Sequence, residues 1–407
     1  MRLNRRKLLL SMATYGAAAA FMPRALAQAD LRSDLPEATV TALSTIDTNE
    51  PILSFDTANN LQFAIAHYEQ IVANGGWDQL EQDVYGAKLG KFGRAVTALK
   101  RRLIWTGDLP PEKRSNRTFD EETDLAVRRF QARHGLLISG AVDEPTYYAL
   151  NVTADVRLNQ LYLNALRVTT FAANLSDGRY VVVNIPAAAI ESVEGGMVSN
   201  RHTAIVGRVE RATPILTSKI HQINFNPYWH VPKSIIQRDL IKFMNEDPEY
   251  LTRYRIHIYD GNGQEIMPTE IDWSTEEAVQ YMFRQEPGAE NSMGHVKINF
   301  HNPYDVYLHD TPQKGLFGEN ARFHSSGCMR IEGVDELVAW LLRDNGGWDL
   351  NTVHAAFESN ERLDVDVSDP VPIHTTYISA WANRQGTVSF RSDIYDFDQA
   401  GTVFFES

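Results

Sequence analysis

From Arg179 onward the chain is written in short β-prone runs, 179–185, 204–207, 223–225 and 294–300, each closed by Gly, Pro or Asn. Runs of that length and punctuation build a compact, mainly antiparallel sheet domain and little else. Helical spacing breaks in between Ser234 and Tyr254 and again from Thr275 to Phe283, so an inserted helical segment is expected over about 234–291. Upstream the helical period dominates. Leu61, Ala64, Ile65, Tyr68, Ile71 and Val72 share one helix face, and Asn74-Gly75-Gly76 stops that helix. A second long helix is expected over 153–174. At 407 residues the chain is too long for one core. The expected class is α+β: a mainly antiparallel β domain with a helical cap insertion, preceded by a small three-helix module and a helical scaffold.

Residues 1–27 have the form of an export signal. Arg5, Arg6 and Lys7 precede an apolar run from Leu8 to Met22, and Ala25-Leu26-Ala27 offers a small-residue cleavage site. The paired arginines fit either a twin-arginine or a general secretory route. The full chain carries a net charge of −13, and removing the five cations of the signal takes it to roughly −18. Such a chain lacks the basic face that nucleic acid requires. No later apolar run approaches membrane-spanning length, so an exported, periplasmic protein without stable membrane insertion is expected. The stretch 30–50 is polar and aperiodic and reads as a lead-in.

Cys328 is the single cysteine of the chain. It has no intramolecular partner, and a lone thiol in an exported protein must be buried or used. Apolar and polar residues alternate from Tyr304 to His309. As a strand this segment sets Tyr304, Val306 and Leu308 on one face and Asp305, Tyr307 and His309 on the other. His309 and Arg330 near the thiol would both favour the thiolate, the nucleophilic form. His301, His309, His324 and Cys328 lack the tight Cys-x-x-Cys or His-x-x-x-His spacing of zinc sites, so no metal and no other cofactor is expected.

The words Asn-Pro-Tyr-Asp-Val-Tyr-Leu-His-Asp-Thr-Pro (302–312) and Ser-Gly-Cys-Met-Arg (326–330) closely resemble the L,D-transpeptidases, cysteine enzymes that cross-link bacterial peptidoglycan. The resemblance runs from Asn184-Ile185-Pro186-Ala187 through Thr213-Pro214-Ile215 and 223–232 to Val371-Pro372-Ile373-His374, Trp381 and Asp393-Ile394-Tyr395. One departure stands out. Much of the family has a second His directly before Gly-Cys, where this chain has Ser326, with His324 two positions earlier. The resemblance implies Cys328 as nucleophile, His309 as its base and N–H groups around Gly327 and Cys328 as oxyanion donors. It also implies Tyr307, Trp229, Ser326 and Arg330 as substrate-contacting residues, with Arg330 either holding a substrate carboxylate or bracing the loop. The partners implied are peptidoglycan stem peptides and glycan. The inserted cap is expected to be mobile around the acidic segment 286–291.

A second resemblance covers 92–152, which reads as a three-helix peptidoglycan-binding module with Val96, Leu99, Leu103, Val127, Phe130 and Leu150 inside and Asp120 and Asp143 as helix caps. Arg128, Arg129 and Arg133 form a local basic stripe there, either facing peptide carboxylates or solvated. The expected layout is signal 1–27, lead-in and scaffold 28–91, module 92–152, connecting helix 153–178, catalytic domain 179–345 and C-terminal extension 346–407. Two alternatives share these residues: a cysteine carboxypeptidase, in which water resolves the acyl-enzyme, and a non-catalytic wall-binding protein.

Overall fold

A computed structural model describes residues 37–404 except 45, 47, 174, 176 and 177. The proposed export signal lies outside the described residues. Six helices come first: α1 (Glu37–Ser44), α2 (Phe55–Ala73), α3 (Arg94–Trp105), α4 (Glu121–Arg133), α5 (Glu144–Leu150) and α6 (Ala154–Ala172). Helices α3 to α5 close on Val96, Leu99, Leu103, Phe119, Val127, Phe130 and Leu150, all fully buried. Asp120 and Asp143 start α4 and α5 by accepting the Thr123 and Thr146 N–H, each at 3.0 Å. A cap of this kind contributes about 1 kcal/mol. Helices α2 and α6 pack on each other and on the small hairpin of β14 (Ala380–Ala382) and β15 (Val388–Phe390).

Two differences from expectation concern this half. The stretch 30–50 contains α1, which packs beside α4 and whose Thr39 hydroxyl accepts from Arg128 at 3.0 Å. The basic stripe is neither solvated nor open to carboxylates of a partner. Arg128 pairs with Asp124 at 2.6 Å, and Arg133 is buried against Asp108 with contacts of 2.7 and 2.6 Å. Arg129 donates to the Asp108 carbonyl.

The second half is a nine-stranded sheet. Its strands are β1 (Tyr180–Asn184), β2 (Ala189–Glu194), β3 (Met197–Gly207), β4 (Leu216–Phe225), β9 (Val296–Phe300), β10 (Leu308–His309), β11 (Phe323–Ser325), β12 (Met329–Ile331) and β13 (Leu363–Thr376). The order is β11-β3-β12-β10-β9-β4-β13-β1-β2, and β2 also pairs with β3, so the sheet curls back on itself. Only the pairs β1–β13, β10–β12 and β11–β3 are parallel. The fold is α+β with a mainly antiparallel sheet. Helix α10 (Val334–Leu342), which follows β12 directly, buries Leu337, Val338 and Leu341 in the same core as Leu308 and Met329. Strand β13, expected in a C-terminal extension with a hydrophobic edge, lies inside the sheet between β4 and β1. Pro370 falls where the register with β4 shifts between Asp366 and Val371, whereas Pro372 sits in register opposite Lys219.

The insertion is half helix and half sheet. Short helices α7 (Lys233–Ile235), α8 (Ile241–Glu246) and α9 (Tyr250–Arg253) are followed by β6 (Ile256–Tyr259), β7 (Glu265–Ile266) and β8 (Met282–Gln285), which join β5 (Trp229–His230) in the order β5-β8-β6-β7. The helix expected over 275–283 is one 3₁₀ turn, Glu277–Gln280, leading into β8. The insertion has its own core of Val231, Ile236, Leu240, Met244, Leu251, Ile258 and Phe283. The segment 286–291, expected to be a mobile lid, is pinned. Buried Asn291 donates to the Pro227 and Glu286 carbonyls, and Gln285 donates to those of Tyr254 and Glu290. Nearby, Glu286 pairs with Arg284, Glu276 accepts from Gln237, and Glu277 accepts from the Asp272 N–H and the Tyr281 hydroxyl.

Candidate active site

Three neighbouring strands assemble the site. Strand β10 lies between β12 and β9, with Leu308 opposite Met329 and Ile298, and His309 opposite Arg330 and Lys297. Because side chains alternate across a strand, Leu308, Met329 and Ile298 go down into the core, all fully buried. His309, Arg330 and Lys297 then stand in a row on the other face. Cys328, two residues before Arg330, is at the level of Tyr307, and the Met329 N–H donates to the Tyr307 carbonyl at 3.1 Å. The strand expected over 304–309 is only Leu308–His309. Before it the Asn302 side chain captures the Tyr304 and Val306 N–H groups at 3.0 and 3.1 Å, and Asp305 turns through φ +54°. Tyr304 is therefore exposed instead of sharing a buried face with Val306 and Leu308.

His309 is held in one tautomer. Its Nδ1–H donates to the Asp310 carbonyl at 2.5 Å, which leaves the Nε2 lone pair free. Asp310 is fixed in turn by an ion pair with Lys314 and by the His295 N–H at 3.0 Å. Glycine is required at 294, where any Cβ would lie 2.2 Å from the Asp310 carboxylate. Burial, with Arg330, Lys297 and Lys314 as neighbouring cations, pushes His309 down to about 3. The imidazole is neutral.

Tyr307 links the remaining parts. Its ring stands edge-on to His309 at 5.5 Å, and its hydroxyl faces the Cys328 sulfur and the Trp229 side chain. Burial raises the Tyr307 phenol well above its usual value. The Cys328 thiol is likewise pushed up by burial, against the opposing pull of the Tyr307 N–H and hydroxyl, Lys297 and Arg330. This corrects the expectation that His309 and Arg330 hold a thiolate. The neutral imidazole has no charge to offer, and desolvation outweighs the guanidinium, so the resting pair is thiol and imidazole.

The loop carrying Cys328 is braced from below. The Ser325 hydroxyl donates to the Cys328 carbonyl at 2.5 Å and accepts the Gly327 N–H at 3.1 Å. That N–H is therefore engaged, so Gly327 does not offer the oxyanion donor expected of it, whereas among the described residues the Cys328 N–H has no protein acceptor. Gly327 has φ +116°, which a side chain would strain. Its carbonyl accepts from Thr213 at 2.8 Å, and the Tyr395 hydroxyl holds that turn by donating to the Gly207 carbonyl at 2.6 Å. Ser326 meets Arg211 at 2.8 Å, and Arg211 pairs with Asp239 of the insertion at 2.6 Å. Arg330 donates to Gln313 at 2.6 Å, and His324 is turned to Glu319 and the Ala321 carbonyl. Thr213 lies in one of the family-like words but without a role read for it, and Ser325, Arg211 and Lys297 carry no motif that singles them out in the sequence. Among the described residues no cluster of three or more His, Cys, Asp or Glu is placed to hold a metal, and no helix is long and apolar enough to cross a membrane.

Residues 178–373 match a family described as the L,D-transpeptidase catalytic domain, so the match continues through most of β13. Residues 92–150 match one described as "Putative peptidoglycan binding domain". A curated protein of Haemophilus influenzae named "Putative L,D-transpeptidase" is 32% identical over 256 residues, 63% of this chain and 50% of that protein. The match thus spans half the length of that relative. Among solved structures, an L,D-transpeptidase from Stackebrandtia nassauensis is 14% identical with a TM-score of 0.27, covering 74% of this chain and 97% of that one. One from Mycobacterium smegmatis is 15% identical with a TM-score of 0.24, covering 49% and 58%. The assignment rests on the sequence matches, and by them the chain carries an L,D-transpeptidase catalytic domain over residues 178–373, preceded by a module of the peptidoglycan-binding type.

Proposed function

We propose that this chain is an exported, periplasmic peptidoglycan L,D-transpeptidase that joins diaminopimelate residues of neighbouring stem peptides. The observation that supports it most is the pairing of β10 with β12. It sets a half-buried thiol, a tyrosine hydroxyl and a tautomer-locked imidazole with a free Nε2 on one face. Cys328 attacks the carbonyl of the L-centred diaminopimelate next to the terminal D-Ala, and His309 takes the thiol proton. Since both groups rest neutral, proton transfer accompanies attack and needs no stored ion pair. The Cys328 N–H and the Tyr307 hydroxyl stabilise the oxyanion. Collapse of the tetrahedral intermediate breaks the amide bond, and the imidazolium returns the proton to the leaving D-Ala amine. The thioester then acylates the side-chain amine of a second stem, with His309 now taking a proton from that amine. No nucleotide is consumed, because the thioester conserves the energy of the broken amide. Trp229 and Arg211 connect the insertion to Tyr307 and Ser326, so the cap closes over the cleft from the Trp229 side. The 92–150 module holds the enzyme to its polymeric substrate.

The test is mass spectrometry of the purified protein with disaccharide tetrapeptides. The expected products are a cross-linked dimer, free D-Ala and an acyl-enzyme at Cys328. Release of D-Ala without a dimer identifies a carboxypeptidase, and unchanged muropeptides identify a wall-binding protein.

A further inference from the structure

Lys297 and Arg330 are the charged members of the cross-strand row to which the reaction above gives no task. Lys297 lies on β9 directly opposite His309, half-buried. Its Nζ is 4.4 Å from the centre of the Tyr307 ring, whose hydroxyl faces the Cys328 sulfur. The groups that act on it are that sulfur and Asp305, which lies on the turn before β10. Across the row, His309 and Arg330 complete the charged or titratable surroundings. Arg330 is already occupied by Gln313, whereas among the described residues no carboxylate forms an ion pair with Lys297. A half-buried ammonium without a counter-ion is costly, and burial pushes its pKa down. A site that pays this cost is complementary to an anion that arrives with the substrate.

The proposed reaction brings one to the right place. With the scissile carbonyl at the sulfur, the leaving amine belongs to a terminal amino acid whose free carboxylate is one carbon removed from the scissile nitrogen. We propose that Lys297 is a carboxylate subsite, which selects acyl donors that end in a free α-carboxylate one residue beyond the bond cleaved. This rests on the transpeptidase reading and adds its donor specificity. A longer donor has an amide in place of that carboxylate and leaves the ammonium unpaired.

The experiment compares kcat/KM for acylation by a tetrapeptide donor ending in D-Ala with that for the same donor ending in D-alaninamide. Wild type is expected to favour the acid on the order of 10- to 100-fold, the range of a charge-assisted hydrogen bond. In Lys297→Met the acid-to-amide ratio falls to near unity, and in Lys297→Arg much of it is kept. Lys297→Gln serves as the second variant if the Met protein folds poorly, with far-UV circular dichroism as the check. A ratio that survives in Lys297→Met and Lys297→Gln overturns the subsite. So does a proportional loss on both donors, which marks Lys297 as support for the thiolate. Wild-type protein that releases D-Ala or alaninamide from neither donor overturns the transpeptidase reading together with the subsite.

Discussion

His309 should make the catalytic sheet acid-sensitive, by an amount that can be worked out. Its pKa is about 3 in the folded protein and near 6.5 in an unfolded chain. Between those values the unfolded state binds more protons, so stability rises with pH. The contribution is fully present above about 6.5 and is lost as pH falls towards 3. Between pH 7 and pH 4 the unfolded imidazole becomes fully charged while the folded one stays largely neutral. At about 1.4 kcal/mol per unit, this removes about 3 kcal/mol of stability. His309→Gln, which has no titrating group, should lose that much less over the same interval, whatever its stability at pH 7. His134 and His202 are also held down by burial, but they are present in both proteins and cancel in the comparison. The measurement is urea unfolding at both pH values, followed by hydrogen exchange in peptides from β9, β10 and β12. That readout separates the sheet from the helical half. A difference between the two proteins below about 1 kcal/mol would refute a buried, neutral His309.

Carbapenems should acylate Cys328, adding the mass of one opened ring, with no adduct in Cys328→Ala; an adduct persisting in that variant refutes the nucleophile. His324→Ala should keep most cross-linking activity, since His324 is turned to Glu319 and the Ala321 carbonyl; a loss as complete as that of His309→Ala would make His324 the base. Asp108→Ala should destabilise the helical half by about 3–5 kcal/mol, because Arg133 is left charged and buried; thermal unfolding that shifts by less than a degree or two argues against the pair.

The helical half was the more legible in sequence, because its determinants are local. Asp120 and Asp143 cap their helices through residues three positions on, and Leu99, Leu103, Val127 and Phe130 form a core at helical spacing. What it hid was long-range: Arg133 reads as a surface cation until Asp108 and the Val388 carbonyl are brought to it. In the sheet, the β-prone run 294–300 contains strand β9, but period-2 alternation overextended the strand at 304–309. There a side-chain amide competes for two backbone N–H groups, and alternation carries no sign of that. Strand β13 falls in what reads as a C-terminal extension, and only its long-range pairing with β4 and β1 puts it inside the sheet.

The site divides along the same line. Cys328, His309 and Tyr307 lie in recognisable words, yet their charge state depends on burial, which the sequence does not display. The same cations that suggest a thiolate on paper meet a sulfur and an imidazole taken out of water, and desolvation of both decides the outcome. A thiol kept neutral resists stray oxidation, which an exported protein with one unpaired cysteine must survive. It also makes activation depend on what enters the cleft. A substrate carboxylate that pairs with a nearby cation removes charge from beside His309 and raises its basicity just as the carbonyl arrives. On the proposed reading, binding and proton transfer are thereby coupled through Lys297, which faces the imidazole from β9.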